Sequence, residues 1–190
     1  MDKECRIPDG MLRLAGWVDD SIVDGPGLRF TVFTQGCPHA CPGCHNPHTH
    51  AFEGGKLESV ASLLDRIRAN PLLDGVTLSG GEPFEQAPAL TELASGAHAL
   101  GLSVMTYSGY TLERLIAPQG EAKGWPKLLA ETDILVDGPF VARLRNPLLR
   151  FRGSSNQRIL DARASLRLGR AVPLEEESLL QACFARIGTT

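Results

Sequence analysis

Apolar residues recur along the chain in two rhythms. Short β-branched or apolar runs at Phe30 to Thr34, Val76 to Leu78, Leu102 to Thr106 and Ile134 to Val136 predict buried strands. Between them the period lengthens. Lys56 to Ala69 places Leu57, Val60, Ala61, Leu64 and Ile67 on one helical face, and Asn70-Pro71 stops it. Ala89 to Leu100 repeats the pattern with Leu90, Leu93, Ala94, Ala97 and Leu100, and Gly101 is placed to end it. A shorter helix is expected from Thr111, and another over Glu175 to Arg186 to cover a sheet edge.

Strands alternating with helices are the signature of parallel βαβ units, whose ligands sit at the carboxyl ends of the strands. A loop holding three cysteines follows the first predicted strand. Gly80-Gly81-Glu82 follows the second, Tyr107-Ser108-Gly109 the third and Asp137-Gly138 the fourth, so four unusual loops converge on one rim. With 190 residues the chain is too short for a complete eight-stranded barrel. The expectation is an α/β fold: a partial (β/α)-barrel whose open, curved, mainly parallel sheet carries helices outside. Neither a repeat nor a convincing linker divides the chain, so residues 1–190 are expected to form one domain.

Composition narrows the function classes. With 43% hydrophobic and 22% charged residues the chain has ordinary globular values. A formal net charge of −3 argues against a protein built to neutralise nucleic-acid phosphates. The start, MDKECRIPDG, is polar, and no apolar run approaches the length of a membrane span, so a cytoplasmic protein with no membrane partner is expected. Beyond residue 140, Arg143, Arg145, Arg150, Arg152, Arg158, Arg163, Arg167 and Arg170 meet one acid, Asp161. That segment is either a solvated face paired with acids elsewhere or a docking surface for an acidic partner, a carboxylate or a phosphate.

Five cysteines, with Cys37, Cys41 and Cys44 crowded into one loop, do not suit a disulfide framework. Their C-x3-C-x2-C spacing could hold three corners of a four-iron cluster and leave the fourth iron open, since such clusters ordinarily take four cysteines. Proline and glycine between the ligands suit a loop that wraps a cluster with its amides free to meet sulfur. Two other readings stay open on the loop alone. Cys41-Pro42-Gly43-Cys44 is also a thioredoxin-like C-x-x-C, and a structural zinc could recruit His45 or His48 to the three thiolates. Cys5 and Cys183 read as plain thiols, Cys183 within an apolar helix face.

Adding Leu78-Ser79-Gly80-Gly81-Glu82-Pro83 one βα unit beyond the thiols changes the balance, because glycines at that strand end permit close backbone approach to a shared site. This pairing of motifs resembles the radical S-adenosylmethionine (SAM) superfamily. Val23 to Phe30 (VDGPGLRF) and Cys44-His45-Asn46 are similar to the glycyl-radical enzyme activases within it. Gly43, Tyr107 to Thr111, Asp133 to Phe140 and Arg152 to Ile159 resemble the activases of anaerobic ribonucleotide reductase. The likeness covers about residues 11–161; the segment 162–190 reads as a C-terminal extension.

The resemblance implies one 4Fe-4S cluster on Cys37, Cys41 and Cys44, with SAM as the second cofactor. It implies SAM contacts from Gly80, Gly81, Glu82 and Pro83, with Glu82 receiving the ligand ammonium, and further ones from His45, Asn46, Ser108, Asp137, Asn156 and Arg158. Asp24 would meet the substrate loop, or simply start the Gly25-Pro26-Gly27 turn. The implied activity is reductive cleavage of SAM to a 5′-deoxyadenosyl radical that removes a hydrogen atom from a glycine. The implied partners are the large subunit of anaerobic ribonucleotide reductase and an electron donor such as flavodoxin or ferredoxin. Three departures bear on this. Most radical SAM loops carry an aromatic residue where Gly43 stands, so adenine contacts must come from elsewhere. Gly138-Pro139 stands where pyruvate formate-lyase activases carry a lysine, and after the loop only the lone Cys183 follows, with no cysteine cluster to suggest a second iron-sulfur centre. The competing functions are activation of another glycyl-radical enzyme, a radical SAM enzyme of a small molecule such as a deazapurine-forming synthase, and a zinc-stabilised interaction module.

Overall fold

The computed structural model describes residues 7–121, 123–175 and 179. Cys5, Cys183 and nearly all of the helix expected over 175–186 lie outside the described residues. Among the described residues seven strands form one open sheet: β1 (Met11–Ser21), β2 (Arg29–Thr34), β3 (Lys56–Ser59), β4 (Gly75–Gly80), β5 (Ser103–Tyr107), β6 (Ile134–Asp137) and β7 (Arg158–Asp161), in the order β3-β1-β2-β4-β5-β6-β7. The run β2-β4-β5-β6 is parallel, as the alternation of strands and helices predicts. The flanks are not. β1 pairs antiparallel with β2 and β3, and β7 antiparallel with β6, so parallel and antiparallel pairings are equal in number and the sheet is mixed rather than mainly parallel.

The main helices are α1 (Val60–Ala69), α2 (Ala87–Ala99), α5 (Trp125–Ala130) and α6 (Ala162–Leu168), with the single turns α3 (Leu112–Leu115) and α4 (Pro118–Glu121) before α5. α1 packs on α2, α2 on α5 and α5 on α6, forming one layer. The helix expected from Lys56 begins only at Val60. Lys56 to Ser59 instead pair with Met11 to Leu14, and the Ser59 hydroxyl accepts from the Ser62 amide at 3.1 Å, which caps α1. α2 ends where Gly101, at φ +77°, donates to the His98 carbonyl at 2.8 Å. At Gly96 a Cβ would run into the Leu64 side chain, so glycine sets how closely α1 and α2 approach.

Strand parity decides which face is core and which is site. Phe30, Val32, Val76, Leu78, Val104 and Leu135 point toward the helices and join Leu63, Leu90, Leu93, Trp125 and Leu128 in the main core. Each fully buried leucine there contributes about 1.5–3 kcal/mol. The alternate residues face the other way and are more polar: Arg29, Thr31, Phe33, Thr77, Ser79, Ser103, Met105 and Tyr107. Arg29 is fully buried on this inner face, where Nε donates to Thr77 Oγ1 at 2.7 Å and the terminal nitrogens reach the carbonyls of Pro26, Val76 and Ser103. It thereby straps the 24–28 loop across the sheet.

Candidate functional site

The three-cysteine loop leaves the end of β2 and is tied down at both ends: the Gly36 amide donates to the Thr49 carbonyl at 2.8 Å and the Cys37 amide to that of His50 at 3.0 Å. The turn after β4 lies against its base. Gly81 N donates to Thr34 O at 2.8 Å and Glu82 N to Gly36 O at 2.9 Å. Gly80 sits at φ +95°, and a Cβ on Gly81 would collide with the Gly36 carbonyl oxygen, so the pair of glycines is required by backbone approach. Within the loop Ala40 and Gly43 take positive φ (45° and 73°), which turns the chain sharply enough for Cys41, Cys44 and Cys37 to border one cavity.

That cavity, about 510 Å³, lies over the carboxyl ends and inner face of the parallel strands. It is of a size that takes a small molecule. The expected residues Cys37, Cys41, Cys44, His45, Asn46, Gly80, Gly81, Ser108 and Asp24 all line it. Asp24 is held by the Ser21 hydroxyl at 2.6 Å and, through its carbonyl, by Thr77 Oγ1 at 2.9 Å.

Glu82, Pro83, Asp137, Asn156 and Arg158 are not among the lining residues. The Glu82 side chain is fully buried, and protein donors occupy it: Phe84 N and Ser108 Oγ reach Oε1 at 3.1 and 3.0 Å, and Gly109 N and His39 Nε2 reach Oε2 at 2.8 and 2.9 Å. These bonds tie the cysteine loop to the ends of β4 and β5. Pro83 starts the buried turn that follows. Asp137 caps α3 by accepting from Leu112 N at 2.7 Å and pairs with Arg158, whose Nε reaches its Oδ1 at 2.9 Å. Arg158 extends that pair to Glu113 at 2.9 Å, while Asn156 Nδ2 donates to the Pro139 carbonyl at 2.8 Å.

Other residues reach the site without having been singled out for it. His39 wedges against Gly109, edge-on to Tyr110 with ring centroids 4.4 Å apart. Phe140 stands 5.3 Å from the His45 ring and alongside Gly43, so an aromatic residue from the loop after β6 flanks the position before the third cysteine. Phe33, Tyr107, His50, Phe151, Arg152 and Gln157 complete much of the wall. The inward positions of β2 and β5 follow from strand parity, whereas the 139–157 loop gives no such periodic signal.

Residues 23–160 match the model of the 4Fe-4S single cluster domain. Anaerobic ribonucleoside-triphosphate reductase-activating proteins of Salmonella typhi and of Escherichia coli K12 are each 38% identical over 146 residues, 72% of this chain and 90% of theirs. The chain belongs to this family. Pyruvate formate-lyase-activating enzyme of Listeria monocytogenes is 42% identical over 85 residues, but those are 42% of this chain and 34% of the other. A likeness to QueE from Escherichia coli, at a TM-score of 0.39 and 18% identity over 53% of each chain, is too partial to carry an argument.

The residues present fit the cofactors that family implies. All three cysteines are free thiols at the cavity wall, soft donors of the kind iron-sulfur clusters take, and the Asn46 amide already donates to Cys44 Sγ at 3.3 Å. Burial pushes the Cys37 thiol up to about 11, with the Glu82 charge adding to it and the His39 and Ala40 amides opposing it. Without metal Cys37 is therefore protonated; a coordinating metal deprotonates it outright. On the same wall, His50 Nε2 and Arg152 Nε are buried without a hydrogen-bond partner among the described residues, so it carries polar capacity that the protein does not use.

Proposed function

We propose that this chain uses a 4Fe-4S cluster and SAM to generate a glycyl radical on anaerobic ribonucleoside-triphosphate reductase. The observation that carries this reading is the meeting of three free cysteines with the Gly80-Gly81 turn on one cavity, in a chain of the activating-protein family. The open sheet is read as a part-barrel forming one domain, the protein as cytoplasmic, and the electron source as a small carrier such as flavodoxin or ferredoxin.

Cys37, Cys41 and Cys44 would hold three irons of a single cluster, which with bound SAM supplies one-electron cleavage of the sulfonium and a 5′-deoxyadenosyl radical. The protein supplies position and a sheltered cavity. Gly80 and Gly81 let the backbone approach the methionyl part, and Ser108, Asn46 and His45 offer polar contacts around it. Phe140 and the His45 ring form an aromatic wall beside Gly43, suited to an adenine face. Glu82, Asp137 and Arg158 act at one remove, by fastening the loops that make these contacts. Asp24 and Val23 border the cavity over the inner face of the sheet, where the substrate glycine would enter. The cofactors would supply the hydrogen-atom abstraction there, and the two flanking peptide groups of the glycine would delocalise the radical left on its Cα.

The test is electron paramagnetic resonance of the reduced, cluster-loaded protein incubated with SAM and the reductase. An organic doublet on the reductase, accompanied by methionine release, is expected. SAM cleavage without a doublet on the reductase removes this substrate. The similarity to a pyruvate formate-lyase-activating enzyme favours one second reading, the same chemistry on another glycyl-radical enzyme. A doublet on pyruvate formate-lyase in place of the reductase would establish it.

A further inference from the structure

The arginine-rich stretch beyond residue 140 holds both paired and unpaired arginines among the described residues. Arg158 pairs with Asp137 and Glu113, and Arg163 with Asp133; these arginines fasten the sheet and α6. Arg143, Arg145 and Arg150 behave differently. All three are exposed and none forms an ion pair among the described residues. They lie on the segment 141–152, which contains no acidic residue, in a chain whose formal net charge is −3. A local basic excess against a negative background is not what a generic solvated face requires.

The segment is ordered by its own hydrogen bonds. Ser154 Oγ accepts from Val141 N at 3.1 Å, Asn146 N donates to Gly153 O at 3.3 Å, Asn146 Oδ1 accepts from Leu148 N at 2.9 Å, and Ser155 N donates to Leu144 O at 2.9 Å. A charged surface held this way loses little backbone freedom on binding. It is also continuous with the cavity: Leu149, Phe151 and Arg152 line the wall, while Leu148 beside them is 88% exposed. The lip thus borders the same cavity that a protein substrate would enter to deliver a glycine.

Resting on the function proposed above, we propose that Arg143, Arg145 and Arg150 form a docking lip for an acidic surface of the protein substrate, seated around Leu148 at the mouth of the site. Opposite charges across such a contact steer encounter and fix orientation, and their contribution falls as salt screens them.

The experiment measures binding of cluster-loaded protein to the reductase at low and high salt, for the wild type and for R143E/R145E/R150E. The reversed variant should bind about 100-fold more weakly at low salt, lose most of the salt dependence, and yield less glycyl radical. SAM affinity and dithionite-driven SAM cleavage without the reductase should stay at wild-type values, which shows that the variant is folded and loaded. Should reversal disturb folding, R143A/R145A/R150A is measured in its place, with an intermediate loss expected. Unchanged affinity and salt dependence in a folded variant overturn the docking lip while leaving the function standing. A wild-type protein that neither binds the reductase nor forms a radical on it overturns both.

Discussion

A carboxylate that accepts four protein hydrogen bonds in a dry interior is a fastening, and removing it leaves four donors unsatisfied. Glu82→Ala should therefore destabilise the protein by about 3–5 kcal/mol, read as a lowered urea midpoint. A substitution that lowered SAM affinity without moving the midpoint would return Glu82 to direct ligand contact. Gly81→Ala puts a methyl group against the Gly36 carbonyl oxygen, so the cysteine loop must shift. The expected result is loss of cluster content, measured as iron and sulfide per chain. The cysteines and the two glycines were legible in the sequence because spacing and strand-end placement alone bring them together. The hydrogen bonds of Glu82 were not, since nothing in the local pattern says that His39, Ser108 and Gly109 would converge on it from two other loops.

At the scale of elements, the Asp137–Arg158–Glu113 chain joins the end of β6, the start of β7 and α3. The Arg158 guanidinium holds the Glu113 carboxyl at about 2, below its ordinary 4.5. A depressed carboxyl contributes stability that is present above the unfolded value and lost as pH falls toward the folded one. The wild type should thus exceed Glu113→Gln in urea midpoint above about pH 4.5, and the gap should close as pH falls from there toward about 2. Glu113 is 58% exposed, so the gap should stay below about 1 kcal/mol. The parallel strands and α2 were readable from period alone. β1 was not, because Gly16 and the acids Asp19 and Asp20 break its alternation, and the irregular register at Leu14 to Gly16 follows that break. Lys56 to Ser59 suited the helix that follows equally well, and only pairing with β1 makes them a strand. β7 is four residues long and depends on the loop before it, which has no periodic signal.

For the molecule as a whole, one face of the sheet is given to helices and the other to a site. The parallel strands deliver cysteine, glycine and serine loops to one rim, Arg29 straps the Asp24 loop over the inner face, and the loop after β6 supplies the aromatic wall. Among the described residues no helix is long and apolar enough to cross a membrane. The account depends on Cys37, Cys41 and Cys44 acting together as cluster ligands. Iron and acid-labile sulfide analysis of protein purified without oxygen tests this most directly, with the wild type compared against Cys37→Ala, Cys41→Ala and Cys44→Ala. About four iron and four sulfide per chain are expected in the wild type, and sharply less in each variant. About one zinc per chain with no sulfide, or an undiminished cluster after any of the three substitutions, would contradict it.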